Sequence, residues 1–568
     1  MIRLLFFISI FWNASILSAQ TPEELAESAE WKSLLHINDN NQTEISDPNF
    51  FISKQSDSKI ELLSLLENKT CENICKYPAR YRYLAKKLDF NVSFEHCDEL
   101  QSYLKEVRGE SASLVFASSF LGSPASYFGH TFVSIDKSHN VYFSKTLGYA
   151  AELPNTGNPL DIVVKGVSGQ YNGRYVLSPY YQMLEMYNVV EQRTLYEYKL
   201  DLTAEEVENI IWHSYELQNI NVPYKFFTEN CAYEVFWLIE VARPSLNLRQ
   251  KLKSYVIPYE TIQVLKDANM VKEYKKRLPL VEHLYQVYDT LNIEEKELFS
   301  LWKESDQKEK DLEALNISES TKMKFAELIN GYYDILFKKF HISKADYYDV
   351  RKLSFNKTIL KKEIDFEPRK PHKISFGTII ENDEHGEFLN FRPVLMDRFE
   401  ERDSLLSEST LEFLNVGITR RKHTVQLNNF DIIKVESLNK KFDFYEPSSW
   451  RVYLGGNRTF YDESFSPVLE FGTGLTQGND TISTYGLLQM AIYPAQVSID
   501  MQALLGMSMW IYKGHLTFDY KKSLIDTNGA AKVEKLLTFY YPLDKEVSLR
   551  LSNDYAINES KIYLDIKF

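Results

Sequence analysis

The chain is poor in cysteine, has no surplus of positive charge and contains no recognisable nucleotide- or metal-binding motif. Only four of its 568 residues are cysteine, and 65 lysines and arginines stand against 79 aspartates and glutamates, for a net charge of −14. Nucleic-acid binding requires a basic surface, which this balance does not supply. The sequence has no GxxxxGKS or GxxxxGKT loop, no HExxH and no pair of CxxC motifs. We therefore predict no cofactor, no metal and no nucleic-acid partner.

A long apolar run occurs at the N-terminus and nowhere later in the chain. A basic start at residues 1–3 precedes an apolar run over residues 4–19, and small residues stand just before Gln20. This order is typical of a secretory signal peptide. A membrane anchor is the alternative, but Asn13 interrupts a run that is short for a spanning helix. We predict that residues 1–19 are a cleaved signal peptide and that the protein is exported.

The chain is too long for one domain, and its residue pattern changes along its length. The first part is polar with helix start signals, and strand-like apolar runs follow from Ser111. A Lys/Glu-rich stretch with helical periodicity covers residues 245–365, and its charge is most simply a solvated helix face. We predict five segments: a signal peptide at 1–19, a helical module at 20–108, a catalytic domain at 109–245, a helical linker region at 246–370 and a β-barrel at 371–568.

The four cysteines are unevenly placed. Cys71, Cys75 and Cys97 lie close together in the chain, while Cys231 stands alone. In an exported protein the near group can form one bridge, either Cys75–Cys97 or Cys71–Cys97. Cys231 then has no obvious partner, and a lone cysteine in an exported enzyme is a candidate nucleophile.

From about residue 372 apolar residues recur at every second position. Ile562, Leu564 and Ile566 alternate with Tyr563 and Asp565, and about twelve such runs follow one another with turn residues between them. Each run is long enough for the roughly 9 to 11 residues that cross a bilayer. The pattern predicts an antiparallel barrel of about twelve strands in the outer membrane, with a soluble β-sandwich or lipocalin-like barrel as the alternative. Seven aromatic residues are predicted to form interfacial girdles: Tyr453, Tyr485, Tyr493, Trp510, Tyr512, Tyr540 and Tyr541.

Cys231 stands directly before a helical pattern that Pro244 ends. Thr228 or Asn230 can cap the start of this helix, which places the thiol in its first turn. There the helix dipole and unpaired N–H groups lower the pKa of a thiol and can stabilise an oxyanion. The alternative is a small buried core residue, because free cysteines are often buried.

His130 is the best candidate for a base that activates this thiol. It follows Gly129 and opens a strand-like run, whereas His213 lies on a charged helix and His139 in a polar turn. A histidine on a strand beside a cysteine at a helix N-terminus is the arrangement of papain-like enzymes. Because the histidine precedes the cysteine in this chain, we predict a circularly permuted papain-like core. The predicted fold class is α+β, with this core between helical flanks and the barrel following it.

Several motifs around these two residues resemble the Lnb-type lipoprotein N-acyltransferase family of bacteria. They are SPASYFGHTF at 123–132, LGYAA at 147–151, YYQM at 180–183 and FFTENC at 226–231. Asn-Cys at the start of a helix is also similar to permuted papain relatives typified by lecithin:retinol acyltransferase. The segment CKYPARY at 75–81, with Cys97, resembles the N-terminal module that accompanies the family, and we predict the Cys75–Cys97 bridge.

The resemblance implies that Cys231 is the nucleophile and His130 the base. It also implies a third, orienting polar group on the strand after His130, for which Ser144 is our candidate and Glu152 the alternative. The chain departs from the family at Gly148, where relatives often carry a larger polar residue. It also departs in its C-terminal barrel, which replaces the helical membrane anchor of other members.

The activity that the resemblance implies is acyl transfer without ATP. A phospholipid acyl chain would load onto Cys231 as a thioester, and the N-terminal amine of a diacylated lipoprotein would accept it. The polar and aromatic residues beside both candidates, Tyr127, Tyr224 and Asn230, are the predicted substrate-binding residues. A papain-like peptidase or amidase acting on cell-wall peptide is one alternative, and a non-enzymatic outer-membrane binding module is another. We expect an outer-membrane protein with its catalytic domain in the periplasm.

Overall fold

The computed structural model describes most of the chain after residue 20. The predicted signal peptide, the first three residues of the 123–132 motif and His139 lie outside the described residues. The described ranges are 21–122, 126–137, 141–152, 165–166, 168–252, 255–339, 341–344, 347–348, 353, 370–400, 404, 406–443, 445–458, 465–526 and 533–568.

Six short helices form the N-terminal module, and side-chain caps define where several of them begin. Thr21 forms a capping box with Glu24 at the first helix, which satisfies N–H groups that the helix leaves unpaired. A disulfide joins Cys75 to Cys97 and leaves Cys71 exposed, so the predicted bridge is confirmed. The helices are α1 (Pro22–Ala26), α2 (Ala29–Leu34), α3 (Ser58–Glu67), α4 (Cys71–Lys76), α5 (Pro78–Leu88) and α6 (Asp98–Val107).

A seven-stranded antiparallel sheet forms the centre of the next region. Its strands are β1 (Ser111–Ala117), β2 (His130–Asp136), β3 (Lys145–Ala151), β4 (Tyr171–Pro179), β5 (Leu195–Leu200), β6 (Val222–Tyr224) and β7 (Val271–Arg277), in the order β6-β4-β3-β2-β1-β5-β7. The prediction of helices throughout 245–365 is wrong for β7. Its charged sequence is that of an exposed edge strand, which pairs with β5 through contacts distant in the chain.

Helices pack on both faces of this sheet. They are α7 (Tyr180–Leu184), α8 (Ala204–Glu216), α9 (Cys231–Ala242) and α10 (Pro258–Asp267), and the π-helical segment Glu185–Val190 continues α7. Helix α9 packs against β2 and β3, while α7 and its π-helical extension cover the other face around Phe132. The first turn of α9 therefore lies against the strand that His130 opens.

Four further helices form a layer with its own hydrophobic core. They are α11 (Leu280–Asp289), α12 (Ile293–Lys303), α13 (Lys308–Ala314) and α14 (Glu319–Lys338). Phe299, Trp302 and Phe325 pack together at its centre. None of the helices in the described part of the chain is both long enough and apolar enough to cross a membrane.

Twelve antiparallel strands close into a β-barrel, and the short β10 adds to one of them. The ring closes where β8 pairs with β20 and β9 pairs with β11. Together with the mixed helix-and-sheet region before it, the barrel confirms the predicted α+β fold class, while the permuted papain-like core stays a prediction. The strands are β8 (Lys373–Glu381), β9 (Glu384–Arg392), β10 (Val394–Met396), β11 (Ser407–Arg421), β12 (Thr424–Asn439), β13 (Ser449–Arg458), β14 (Phe465–Gly478), β15 (Ile482–Tyr493), β16 (Ser498–Ile511), β17 (Gly514–Asp526), β18 (Val533–Pro542), β19 (Val547–Asp554) and β20 (Glu559–Lys567).

The barrel is apolar on its outside and polar on its inside. On β20, Ile562 is 51% exposed and Ile566 is 36% exposed, and both point outward, while Asp565 beside Ile566 is fully buried in the lumen. A soluble β-sandwich or lipocalin-like barrel buries apolar side chains inside, so this polarity is instead that of a barrel that crosses a membrane. The girdle prediction is wrong for five aromatic residues, which lie on the lumen side: Tyr453, Tyr485, Tyr493, Trp510 and Tyr540. The four tyrosines are buried there, and Trp510 stacks on the buried His515 with ring centres 4.2 Å apart.

The segment 397–400, between β10 and β11, crosses the barrel lumen. Asp397 forms ion pairs with Lys373 on β8 (2.8 Å) and Arg550 on β19 (2.5 Å). Arg398 reaches Glu436 on β12 (3.0 Å) and Asp519 on β17 (2.8 Å). Ion pairs to four strands around the ring therefore hold this segment inside the barrel.

We expect Lys373→Met to lower the free energy of unfolding by about 3–5 kcal/mol, because it removes a cation that is fully buried among carboxylates. Lys370→Met is the matched control. It breaks an exposed pair with Glu546, for which about 1 kcal/mol or less is expected. Urea denaturation of the detergent-folded protein measures the free energy of unfolding of both variants. Equal losses for the two would contradict a buried ion-pair network in the lumen.

Candidate active site

Asn230, and not Thr228, is the N-cap residue of α9. Its side-chain oxygen accepts hydrogen bonds from the N–H groups of Ala232 (3.0 Å) and Tyr233 (3.3 Å). Its amide nitrogen donates to the carbonyls of Phe226 (2.9 Å) and Val256 (2.7 Å). These four bonds use both polar atoms of the Asn230 side chain and hold the helix start directly before Cys231.

Cys231 is the first residue of α9, and its thiol is only 4% exposed. The sulfur lies against the N–H and hydroxyl of Thr131, which favour the thiolate, as does the nearby Arg193. Burial outweighs these contributions and raises the thiol pKa above its ordinary value. The predicted lowering of this pKa is therefore wrong for the resting protein, because a helix N-terminus does not compensate for removing the thiolate from water.

His130 is the first residue of β2 and is half-buried among aromatic rings. Its ring centre lies 6.1 Å from that of Phe132 and 6.0 Å from that of Tyr187. Burial, aided by the positive charge of Arg193, lowers the pKa of His130 to about 3, so the imidazole is neutral at neutral pH. A Cβ atom placed on Gly148 would lie 3.9 Å from His130 Nε2. Gly148 thus leaves room for a Cβ atom in ordinary van der Waals contact with the imidazole.

His130 and Cys231 share a neighbourhood without a direct contact. Thr131, the residue after His130, contacts the thiol of Cys231. Tyr187 links the two residues as well, because its ring lies beside that of His130 and its pKa is raised in part by Cys231. No hydrogen bond joins His130 to Cys231 among the described residues. Consecutive side chains of a strand point to opposite faces, which accounts for the thiol meeting Thr131 rather than the imidazole.

Neither of the two candidates for the orienting group is brought to His130. Ser144 is buried, and its hydroxyl accepts a hydrogen bond from the N–H of Lys137 (3.2 Å) at the far end of β2. That end is about 20 Å from His130, since each strand residue advances about 3.3 Å. Glu152 is exposed and pairs with Arg174 (2.8 Å).

The two predicted substrate-binding tyrosines occupy different places. Tyr224 is buried and stacks on Tyr149, with ring centres 5.5 Å apart, and Cys231 contributes to raising the pKa of both phenols. Tyr127 is half-buried and packs against barrel residues, including Leu411. Only Tyr224 is therefore a neighbour of the thiol.

Three residues that sequence reasoning did not select contribute to this site: Thr131, Tyr187 and Arg193. The buried guanidinium of Arg193 donates to the carbonyls of Ser118 (2.6 Å) and Ala117 (3.0 Å) and lies 4.7 Å from the centre of the Tyr187 ring. Thr131 stands beside His130 in the motif and was within reach of prediction. Arg193 lies far along the chain from both catalytic candidates, and no spacing pointed to it.

Three family models match parts of the chain. Residues 99–268 match the Lnb N-terminal periplasmic domain, residues 369–567 match a domain of unknown function (DUF7840) and residues 23–87 match another (DUF7843). No curated protein matches the chain. The first match supports the resemblance to Lnb-type proteins and a periplasmic location for this region.

Solved structures with some similarity to the chain are porins. A KdgM porin is 10% identical with a TM-score of 0.22, and the match covers 34% of this chain and 99% of that one. The KdgM porin in complex with disordered oligogalacturonate is 9% identical at a TM-score of 0.22, over 34% and 99%. A mutant of the Rh. blastica porin is 9% identical at a TM-score of 0.16, over 35% and 98%.

The two free thiols provide a test of the site's electrostatics. We expect iodoacetamide to alkylate the exposed Cys71 at least tenfold faster than the buried Cys231 at pH 7.5. Because the Cys231 pKa is raised, its thiolate fraction increases with pH, so its alkylation rate should still be rising at pH 9. Peptide mass spectrometry after timed labelling measures both rates. A plateau for Cys231 below pH 7 would show a resting thiolate and contradict this description.

Proposed function

We propose that the protein is a thiol-dependent acyltransferase that moves a phospholipid acyl chain to the N-terminal amine of bacterial lipoproteins. The observation that carries the proposal is the setting of Cys231. Its thiol lies at the capped start of a helix, against the N–H of Thr131, beside the strand that His130 opens. The resemblance to Lnb-type proteins over residues 99–268 supports the same reaction class.

The chemistry proceeds in two steps through a thioester. His130 takes the thiol proton while the Cys231 sulfur attacks the ester carbonyl of a phospholipid, and the lysophospholipid oxygen leaves with that proton. The amine of the lipoprotein then attacks the thioester carbonyl. An amide forms, His130 takes the amine proton and returns it to the departing sulfur. The ester and the amide need no external energy source, in agreement with a chain that lacks nucleotide motifs.

His130 acts as a general base rather than as a preformed imidazolium. The lowered pKa of His130 and the raised pKa of Cys231 leave both groups neutral at rest. A neutral imidazole can accept a proton, and side-chain hydrogen bonds of this kind often form only once substrate is bound. His130 is the first residue of β2 and follows Gly129, whose φ of +90° breaks the strand on that side. We propose that the imidazole turns toward the thiol when the acyl group enters.

The barrel supports an outer-membrane location for this reaction. Its outer face carries apolar side chains and its lumen carries charged ones, which is the arrangement that lipid requires. The matched periplasmic domain model supports a catalytic domain on the periplasmic side. One proposed substrate is a membrane lipid and the other is anchored by lipid, so an enzyme held in the same membrane can reach both.

A papain-like peptidase is the competing activity, and the enclosure of the thiol weighs against it. A peptidase acting on cell-wall peptide needs an open polar cleft. Cys231 is instead 4% exposed and has Tyr149, Tyr187 and Tyr224 as neighbours. We therefore keep the peptidase as an outcome of the test below.

We expect Cys231→Ala and His130→Ala each to reduce acyl transfer by at least a thousandfold, because the two groups act as one unit. The double variant should be scarcely worse than either single one. Incubation with a phospholipid that carries a labelled acyl chain should leave a hydroxylamine-sensitive adduct on Cys231. Mass spectrometry of lipoprotein N-termini, with and without the protein, measures the product.

Cys71→Ala is the matched control, since it removes the other free thiol and should leave the rate unchanged. Cys231→Ser should also be inactive, because a hydroxyl is a far poorer nucleophile. Label retained by Cys231→Ala would place the nucleophile elsewhere. Cleavage of a cell-wall peptide without any acyl adduct would favour the peptidase.

A further inference from the structure

The loop that leads to His130 packs against the barrel. Leu121, Tyr127 and Phe128 form one hydrophobic cluster with Leu411 on β11 and Val435 on β12. Both barrel residues are nearly inaccessible to solvent, although they lie on a barrel whose outward apolar side chains are mostly exposed. The catalytic domain therefore covers a patch of the barrel wall near the start of β11 and the end of β12.

This patch belongs to the outer face of the barrel. Leu411 and Val435 are cross-strand partners, and Val435 is paired in turn with Val452 on β13. Val452 faces Phe471 on β14, which is 44% exposed, and directly paired residues share a face of the sheet. The covered patch is thus continuous with the apolar belt that surrounds the barrel.

Three phenylalanine rings connect this belt to both catalytic segments. Phe128, two residues before His130, lies 5.9 Å from Phe227, four residues before Cys231. Both rings approach Phe413 on β11, at 6.4 Å and 5.4 Å. All three are half-buried, so part of each ring stays accessible at this contact.

A cavity of about 420 Å³ lies beside this triad, between the catalytic domain and the barrel. Its apolar wall comes from Phe116, Phe120, Phe128 and Trp450. The lining also carries charges of both signs, from Lys339, Arg398, Glu191, Asp397, Glu400 and Glu408. This volume falls within the range of about 300–1,000 Å³ that is usual for small-molecule sites. Apolar wall beside charges of both signs suits an amphiphile that has acyl chains and a zwitterionic phospholipid headgroup.

We propose that a phospholipid of the adjoining leaflet enters the enzyme sideways, from the outer face of β11–β13, past Phe128, Phe227 and Phe413 into this cavity. The inference deepens the proposed function, because it rests on the membrane location and names the route by which the acyl donor reaches Cys231. Continuity with the lipid-facing belt favours a membrane lipid over a soluble peptide. A lipid can slide along an apolar wall without first leaving the bilayer.

Photo-crosslinking tests this route without requiring turnover. The full-length protein is placed in phosphatidylethanolamine–phosphatidylglycerol vesicles that contain a phosphatidylcholine with a diazirine in one acyl chain. We expect crosslinks in peptides that contain residues 120–128 or Phe227. Phe413→Asp should reduce these crosslinks at least tenfold. Phe471→Asp, the matched control on the same outer face, should change them less than twofold.

Heat-dependent gel migration checks that both variants keep a closed barrel. If Phe413→Asp does not fold, Phe413→Ala and Phe471→Ala are compared instead. We expect Phe413→Ala to reduce crosslinking of the catalytic segments at least threefold and Phe471→Ala to leave it unchanged. Crosslinks confined to the barrel belt, with none in either catalytic segment, would overturn the route. Equal crosslinking of the Phe413 and Phe471 variants would overturn it as well.

A second readout separates this inference from the proposed function. A short-chain, water-soluble ester can acylate Cys231 without passing along the barrel wall. We expect Phe413→Asp to keep that reaction while losing acylation by vesicle phospholipid at least tenfold. Crosslinks in the catalytic segments without any acylation of Cys231 would support the lipid route and refute the acyltransferase. Full acylation by vesicle phospholipid in Phe413→Asp would refute the route and leave the acyltransferase standing.

Discussion

Burial of one patch of the barrel's outer face against the catalytic loops determines how the molecule is arranged. Leu411 and Val435 lose their solvent exposure to Leu121, Tyr127 and Phe128. Each buried apolar side chain of this size stabilises the contact by roughly 1.5–3 kcal/mol. Because the same loop ends at His130, this contact with the barrel also sets the distance between the candidate catalytic residues and the lipid-facing wall.

The features that could be predicted from the sequence are those set by local periodicity and capping. Alternation along β20 indicated the barrel, and the position of Asn230 before an apolar helix indicated the cap. The four lumen tyrosines were misplaced because alternation shows that two faces differ but not which face an isolated tyrosine occupies. Tyr453, for example, donates its hydroxyl to Asp431 across strands, and only the barrel register brings those two together.

The candidate site shows the same division between local and distant contacts. Cys231 and His130 were selected for their residue type and local setting, and the structure places them in one neighbourhood. Ser144 was selected because the resemblance implies a polar group on the strand after His130, yet its hydroxyl lies at the end of β2 opposite to His130. Arg193 influences the pKa of both groups through its charge. It lies just before β5 and is held by the carbonyls of Ala117 and Ser118 at the end of β1, a contact that sequence spacing does not encode.

Burial of both reacting groups gives the site its chemical character. Desolvation raises the pKa of the Cys231 thiol and lowers the pKa of the His130 imidazole, so each charge is unfavourable when formed alone. Formed together, thiolate and imidazolium would stabilise each other more strongly in this poorly hydrated setting than in water. In the proposed reaction, the acyl group of the thioester would fill the aromatic surroundings of Cys231 and exclude water from them, which would favour transfer of the acyl chain to the amine over its hydrolysis.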